Sequence, residues 1–240
     1  MCAHGMHGVE LLAEIEDPRS EEDLARYFGT ANPDDQFSAF TGGDFEKLGG
    51  GGDNEDVADR FTAQDIVAVS MLGVHVPGRA ARDLLQGRLG EALSAQLRSI
   101  PAQTDLVEAP LGDVDHGSAA ERAWKLLVAP ENKGVNWVIA SKLLARKRPR
   151  LLPVYDQVVK CALHWPGTSF WVPLRSELQA NGRVLHNRLK RMGAALPTEV
   201  SPLRVLDVVL WMRHEKEHFA NLRATGDCPG LPPRLATKEC

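Results

Sequence analysis

The sequence predicts a mainly α protein, and three observations carry that expectation. Apolar residues recur at helical spacing through most of the chain from residue 60 onward. Helix-start signals precede those stretches, with Pro or Gly after them. No run alternates apolar and polar residues between hairpin turns, and no internal repeat is found. With 240 residues, 43% hydrophobic and 25% charged, the chain is long enough for one full core and too apolar for wholesale disorder.

In chain order, residues 1–59 form an acidic, Gly-rich segment with 15 acids against three bases, net −12, which leaves the other 181 residues at +8. A short helix is expected after Ser20, where an acid follows a cap candidate three residues on. The Gly, Asn and Asp of residues 29–60 then read as a mobile loop, and Gly49–Gly52 lacks the Gly-Lys-Ser/Thr ending of a phosphate-binding loop. Phe45-Glu46-Lys47-Leu48 within it reads as a tether or as a loop that touches substrate.

A domain of helices is expected over 60–225. Thr62 with Asp65 makes a capping box for a continuously apolar, buried helix that ends near Pro77. Residues 81–100 place Leu84, Leu85, Leu89, Leu93, Leu97 and Ile100 on one helix face. Ser118 with Glu121 opens a helix that closes before Pro130. Residues 168–196 give one or two helices broken at Asn181-Gly182, and Ser201 with Pro202 begins a strong last helix. Residues 226–240 read as an extended tail.

The most informative stretch is Lys133–Asp156. It holds six positive charges (Lys133, Lys142, Arg146, Lys147, Arg148 and Arg150) and no acid before Asp156. Such a run suits a polyanion. A glycine turn before a helix start also exposes backbone N–H groups that bind phosphate without reading sequence. The bland reading is an amphipathic helix ending in a solvated basic loop, with Asp156 as an N-cap.

Within this stretch GVNWVIA, residues 134–140, resembles the Gly-Val-Gly-x-x-Thr-Ala hairpin of the helix-hairpin-helix DNA glycosylase superfamily, and Leu152-Pro153-Val154-Tyr155-Asp156 resembles that family's Leu-Pro-Val-Asp, with one extra Tyr. The resemblance implies a helix-hairpin-helix over 133–147, a catalytic Asp156, and DNA contacts from Lys133, Gly134, Asn136, Lys142, Arg146, Lys147 and Arg148. Asn136 replaces the second glycine and is expected to keep the turn by tolerating left-handed backbone. Trp137, Tyr155 and Trp124 are the candidates to line a pocket for a flipped base. Where relatives that also cleave the strand carry a Schiff-base lysine, this chain has Val138, so the implied enzyme is monofunctional. Relatives with an iron–sulfur cluster need four closely spaced cysteines. Here Cys2, Cys161, Cys228 and Cys240 are scattered, so no cluster, no disulfide framework and no other cofactor is expected. Cys161 reads as a buried small hydrophobe. The chain is also similar to an uncharacterised bacterial family that shares the stretches at 60–80 and 141–156.

The expected function is hydrolysis of the N-glycosidic bond of a flipped, damaged or modified base, in repair or in defence against modified foreign DNA. The alternative is a non-catalytic DNA-binding helix-hairpin-helix protein. A third reading rests on His214-Glu215-Lys216-Glu217-His218, which spells a zinc-protease motif although its charged middle suits an exposed helix end. His75, His116, His164 and His186 are isolated and read as surface or core residues, and Lys160 as a phosphate contact or a partner of Asp156. With no signal peptide and no apolar run of about 18 residues, a cytoplasmic monomer that meets DNA and no membrane is expected.

Overall fold

A computed structural model describes residues 8–29, 39–163 and 170–225. Among them every regular element is helical: α1 (Gly8–Glu16), α2 (Pro18–Phe28), α3 (Ala63–Ser70), α4 (Gly78–Gln86), α5 (Arg88–Leu97), α6 (Ala119–Leu127), α7 (Trp137–Lys147), α8 (Gln157–Leu163), α9 (Trp171–Ala194) and α10 (Pro202–Thr225), with short 3-10 turns at Thr41–Asp44, Leu48–Gly50 and Leu111–Asp113. No described helix is long and apolar enough to cross a membrane.

Local chemistry sets the helix ends. Thr62 Oγ1 accepts from the Asp65 N–H, and an Asp65 oxygen returns to the Thr62 N–H, closing the expected capping box. That helix is shorter than its apolar run, stopping at Ser70, and Val67 is 51% exposed. The helix expected over 81–100 is two helices. They break at Gly87, where a Cβ would lie 1.9 Å from Asp83 Oδ1, and that carboxylate turns to the Leu89 N–H at the start of α5. Ser118 caps α6 through the Glu121 N–H, but the Glu121 carboxylate reaches Gly117 N rather than Ser118 N. α9 breaks as expected, with Asn181, Gly182 and Arg183 all at positive φ. Asp17, not Ser20, caps α2, so that helix starts earlier than the sequence pattern suggested.

One contiguous apolar core runs through the chain, from Leu11 and Ile15 in α1 to Val209 and Leu210 in α10. α10 lies against α2, α8 and α9, and α1 against α9, so the acidic N-terminal segment contributes to the same core as the later helices. Of the mobile loop expected over 29–60, residues 30–38 lie outside the described residues, and the rest is a correction. Phe45 and Glu46 are buried, the Glu46 carboxylate accepts from Ser201 N at 2.8 Å and Ser201 Oγ at 2.7 Å, and burial raises its pKa. The segment is a strap that α7 and α10 hold down, not a tether. The tail at 226–240 and His164 lie outside the described residues.

Candidate functional site

α7 is the helix around which the buried charges gather. From Val138 to Lys147 every one of its residues is buried, cations included. Long cationic side chains are rarely wholly buried unless paired, so each must find partners.

At its C-terminal end the partners come from the Gly-rich strap, from α3 and from the end of α5. Arg146 pairs with Asp65 at 2.9 Å and donates to the Phe45 and Leu48 carbonyls. Lys147 lies 3.0 Å from the other Asp65 oxygen and donates to the Val57 carbonyl at 2.7 Å. Burial pulls the Lys147 pKa down while Asp65 pulls it up. Arg148 reaches the Ala58, Leu97 and Ile100 carbonyls and Asp59. Gly52 lets the strap close here, because a Cβ on it would meet the Arg146 carbonyl oxygen at 2.3 Å. Arg146, Lys147 and Arg148, expected on DNA, are thus interior struts whose donors are taken by protein. The next base, Arg150, is half-buried and paired with Asp105 at 2.8 Å.

About one turn earlier, Lys142 is placed differently. It lines a cavity of about 230 Å³ together with Asp156, Arg204 and Asp207, walled by Tyr27, Phe40 and Trp211 and by the loop at Leu72-Gly73. Asp156 caps α8: its Oδ1 accepts from the Val158 and Val159 N–H groups at 3.0 and 3.1 Å. Its Oδ2 faces Lys142 Nζ at 3.7 Å, too far for a good hydrogen bond, while that ammonium donates to the Leu72 carbonyl at 2.9 Å. Burial lowers the Lys142 pKa, with Asp156 opposing. Arg204, also buried, donates to Tyr27 Oη and the Gly42 carbonyl, each at 2.8 Å, and pairs with Asp207, yet its Nε has no partner. Burial raises the Asp207 pKa against the pull of Arg204, and the nearby Asp156 charge adds to the rise.

The aromatic wall comes from three separate places. Tyr27 in α2 stacks on Phe40 at 4.9 Å and 10°, and Trp211 in α10 stands edge-on, 6.3 Å from each. The aromatic residues expected in a base pocket are elsewhere. Trp137 leans on Tyr155, Tyr155 stacks on Phe170 at 4.0 Å, and Trp124 meets Trp171 edge to face; none of the three lines the cavity. Burial pushes the Tyr155 hydroxyl up to about 12. Lys160 lies over the Trp137 ring, its Nζ 5.3 Å from the centroid.

The hairpin tip is at the surface, with Lys133, Gly134 and Asn136 exposed. Gly134 takes φ +89, which favours glycine, and its bare Cα packs on Pro77, where a Cβ would meet the ring at 2.8 Å. That contact sets the tip against the loop at 73–77, whose first residue lines the cavity. Asn136 is not left-handed. At φ −89 and ψ 175 it is the N-cap of α7, accepting from the Ile139 N–H at 3.0 Å.

In the zinc-protease spelling His214 has a carboxylate beside it, whereas both ring nitrogens of His218 are without a hydrogen-bond partner. His214 Nε2 lies 3.3 Å from Glu14 Oε1, beside Arg213, which binds Glu14 and Asp17, so this turn of α10 is tied to the α1–α2 corner. His218 is buried against Phe219. Among the described residues no three His, Cys, Asp or Glu come together to hold a metal. Cys161 is buried in α8 and is disulfide-bonded, so it is neither a thiol nor a plain apolar side chain. His186 is buried, 3.9 Å from Asp105; His75 and His116 are exposed.

The model of a family of unknown function, DUF6308, matches residues 20–214, and the chain belongs to that family. No curated protein and no solved structure matches it.

Proposed function

We propose that this member of the DUF6308 family is a monofunctional DNA glycosylase that hydrolyses the bond between a flipped base and its sugar at the Asp156 cavity. The observation that carries the reading is the carboxylate itself. Asp156 is fixed through Oδ1 by two backbone N–H groups, has Oδ2 3.7 Å from Lys142, and lines the cavity with two cations and an aromatic wall. A base turned out of a duplex needs a concave pocket, and here Trp211 is the half-buried ring to lie against.

The chemistry follows from the placement. When the C1′–N bond breaks, its electron pair leaves with the base and positive charge develops on the sugar. The Oδ2 of Asp156 stabilises that charge and takes a proton from the water whose oxygen bonds to C1′. Lys142 keeps Asp156 aimed and offers positive charge to the departing base. Lys133, Gly134 and Asn136 at the exposed tip, adjoining the cavity loop, hold a backbone phosphate. Arg146, Lys147 and Arg148 take no part in DNA contact, because their donors are occupied inside.

The test is a panel of duplexes, each with one damaged or naturally modified base, incubated with the full chain and assayed for abasic sites by an aldehyde-reactive label. Labelling of at least one duplex, with strands intact until alkali is added, is expected. No label on any duplex overturns the reading. A second reading, DNA binding without catalysis, has its own support: Asp156 already caps α8 and faces Lys142, which are structural uses of a carboxylate. Binding with no label on the whole panel would be its signature.

A further inference from the structure

Beside the cavity the surface carries cations that nothing described in the fold uses. Gly73 is exposed, lines the cavity, and has nothing within 4 Å of where a Cβ would stand, so the cavity meets the surface there. Further along the same loop Pro77 takes the hairpin tip at Gly134, and α4 begins at Gly78. Arg79 and Arg82 are exposed on α4, at i and i+3 and so on one face of the helix. Lys133 is exposed beside Gly134. Because Arg79 follows so soon after Pro77, the Gly134–Pro77 contact holds Lys133 and Arg79 near one another.

These three charges are free. At other places on the surface Arg19, Lys125, Arg183 and Arg188 each sit against a carboxylate, of Asp17, Glu121, Glu108 and Glu21. Among the described residues Arg79, Arg82 and Lys133 have no such partner. The one acid of α4, Asp83, has its carboxylate at the Leu89 N–H that starts α5, and the exposed acid nearest in sequence to the tip cation is Glu131. Spacing supports a rigid polyanion as the partner. The chain from Gly73 to Arg79 spans at most about 21 Å, with Arg82 about 4.5 Å further along the helix axis. One strand of a duplex carries a charge for every ~3.4 Å of its axis, so several phosphates fall within that length.

Resting on the DNA reading of the neighbouring cavity for its partner, we propose that Lys133, Arg79 and Arg82 form a docking strip for the backbone of duplex DNA, which runs from the hairpin tip onto α4 and passes the Gly73 edge of the cavity. The contacts are to phosphate and read no sequence. An anionic membrane would meet the same charges, but lying on a bilayer takes an apolar face beside the cations, and α4 offers only Leu85, 39% exposed.

The test is binding of a fluorescent duplex to the full chain, by anisotropy, over about 50 to 200 mM salt. The triple variant Arg79→Ala, Arg82→Ala, Lys133→Ala is expected to flatten the slope of log affinity against log salt by about 3, a contribution that amounts to about 40-fold in affinity across that range. Arg191→Ala is the control: this cation is exposed on α9, which packs on α1 and α10, and its loss should leave the slope unchanged. No binding of the duplex, an unchanged slope in the triple variant, an equal flattening by Arg191→Ala, or tighter binding to phosphatidylserine vesicles than to the duplex overturns the inference. Should the triple variant lose its helical circular dichroism, Glu131→Gln decides, because it removes a negative charge from the same surface: stronger binding at low salt upholds the strip, and unchanged or weaker binding overturns it. The assay for abasic sites separates this inference from the glycosylase reading. A flattened slope with no abasic sites from wild type upholds the strip and removes that reading; abasic sites from wild type with an unchanged slope in the triple variant uphold that reading and remove the strip.

Discussion

Two groups of buried charge on and around α7 differ in how far the protein satisfies them. Around Arg146, Lys147 and Arg148 every cation has a carboxylate beside it and carbonyl oxygens from the strap or the end of α5. Around Lys142 and Arg204 the same kinds of side chain are buried as deeply, but Lys142 stands 3.7 Å from its carboxylate, Arg204 Nε has no acceptor, and Asp207 is pushed toward its neutral form. The first group is complete without a ligand. The second leaves a cavity and unmet polar groups, which is how a site differs from a strut: burying charge costs several kcal/mol, and only full pairing recovers it.

The comparison can be broken most severely at Asp65, the carboxylate shared by Arg146 and Lys147. Asp65→Ala leaves two buried cations facing each other and is expected to lower stability by about 3–5 kcal/mol in urea unfolding. A loss below 1 kcal/mol would mean that the cluster is not the strut described. Gly52→Ala adds a Cβ against the Arg146 carbonyl and should cost about 1–3 kcal/mol, measured the same way.

At the site, the pH dependence sharpens the contrast. Burial raises the Asp207 pKa from 3.8 to about 7, so the folded state binds a proton that the unfolded state releases between those values. Stability from this group is therefore present at low pH and falls as pH rises through that window. The stability of wild type minus that of Asp207→Asn should decline from about pH 4 to about pH 7; a difference that is flat or that rises would place Asp207 in an ordinary ion pair. The smallest effect is expected at the hairpin tip. Lys133→Ala should weaken DNA binding modestly and lower the slope of log affinity against log salt by about 1, whereas an unchanged slope would take Lys133 off the phosphate path.

Much of this architecture is legible in local sequence. The all-helical class, the Thr62–Asp65 box, the break at Asn181-Gly182 and the start of α10 all rest on residues a few positions apart. The use of the basic run is not legible in that way. Six cations without an acid look like a surface for a polyanion, yet three of them, Arg146, Lys147 and Arg148, reach carbonyls of a Gly-rich strap about 90 to 100 residues earlier, groups that every residue carries and no pattern marks. The charge imbalance between the first 59 residues and the rest held a clue, since an acidic segment and a basic body can neutralise one another inside one fold. The helix that starts after Asp156 was legible from the sequence, but the cavity beside it was not. Tyr27, Phe40, Arg204, Asp207 and Trp211 come from three distant stretches that only tertiary packing brings together.

The most direct test is Asp156→Asn, compared with wild type on whichever duplex of the panel is labelled. Asn also caps helices and nearly matches Asp in shape, so stability should change by about 1 kcal/mol or less and DNA affinity should stay within about threefold. Formation of abasic sites should fall by about a hundredfold or more, the loss of a charged group acting on the reacting sugar. Abasic sites formed by Asp156→Asn at the wild-type rate would contradict the account, and the carboxylate would then be only the cap of α8.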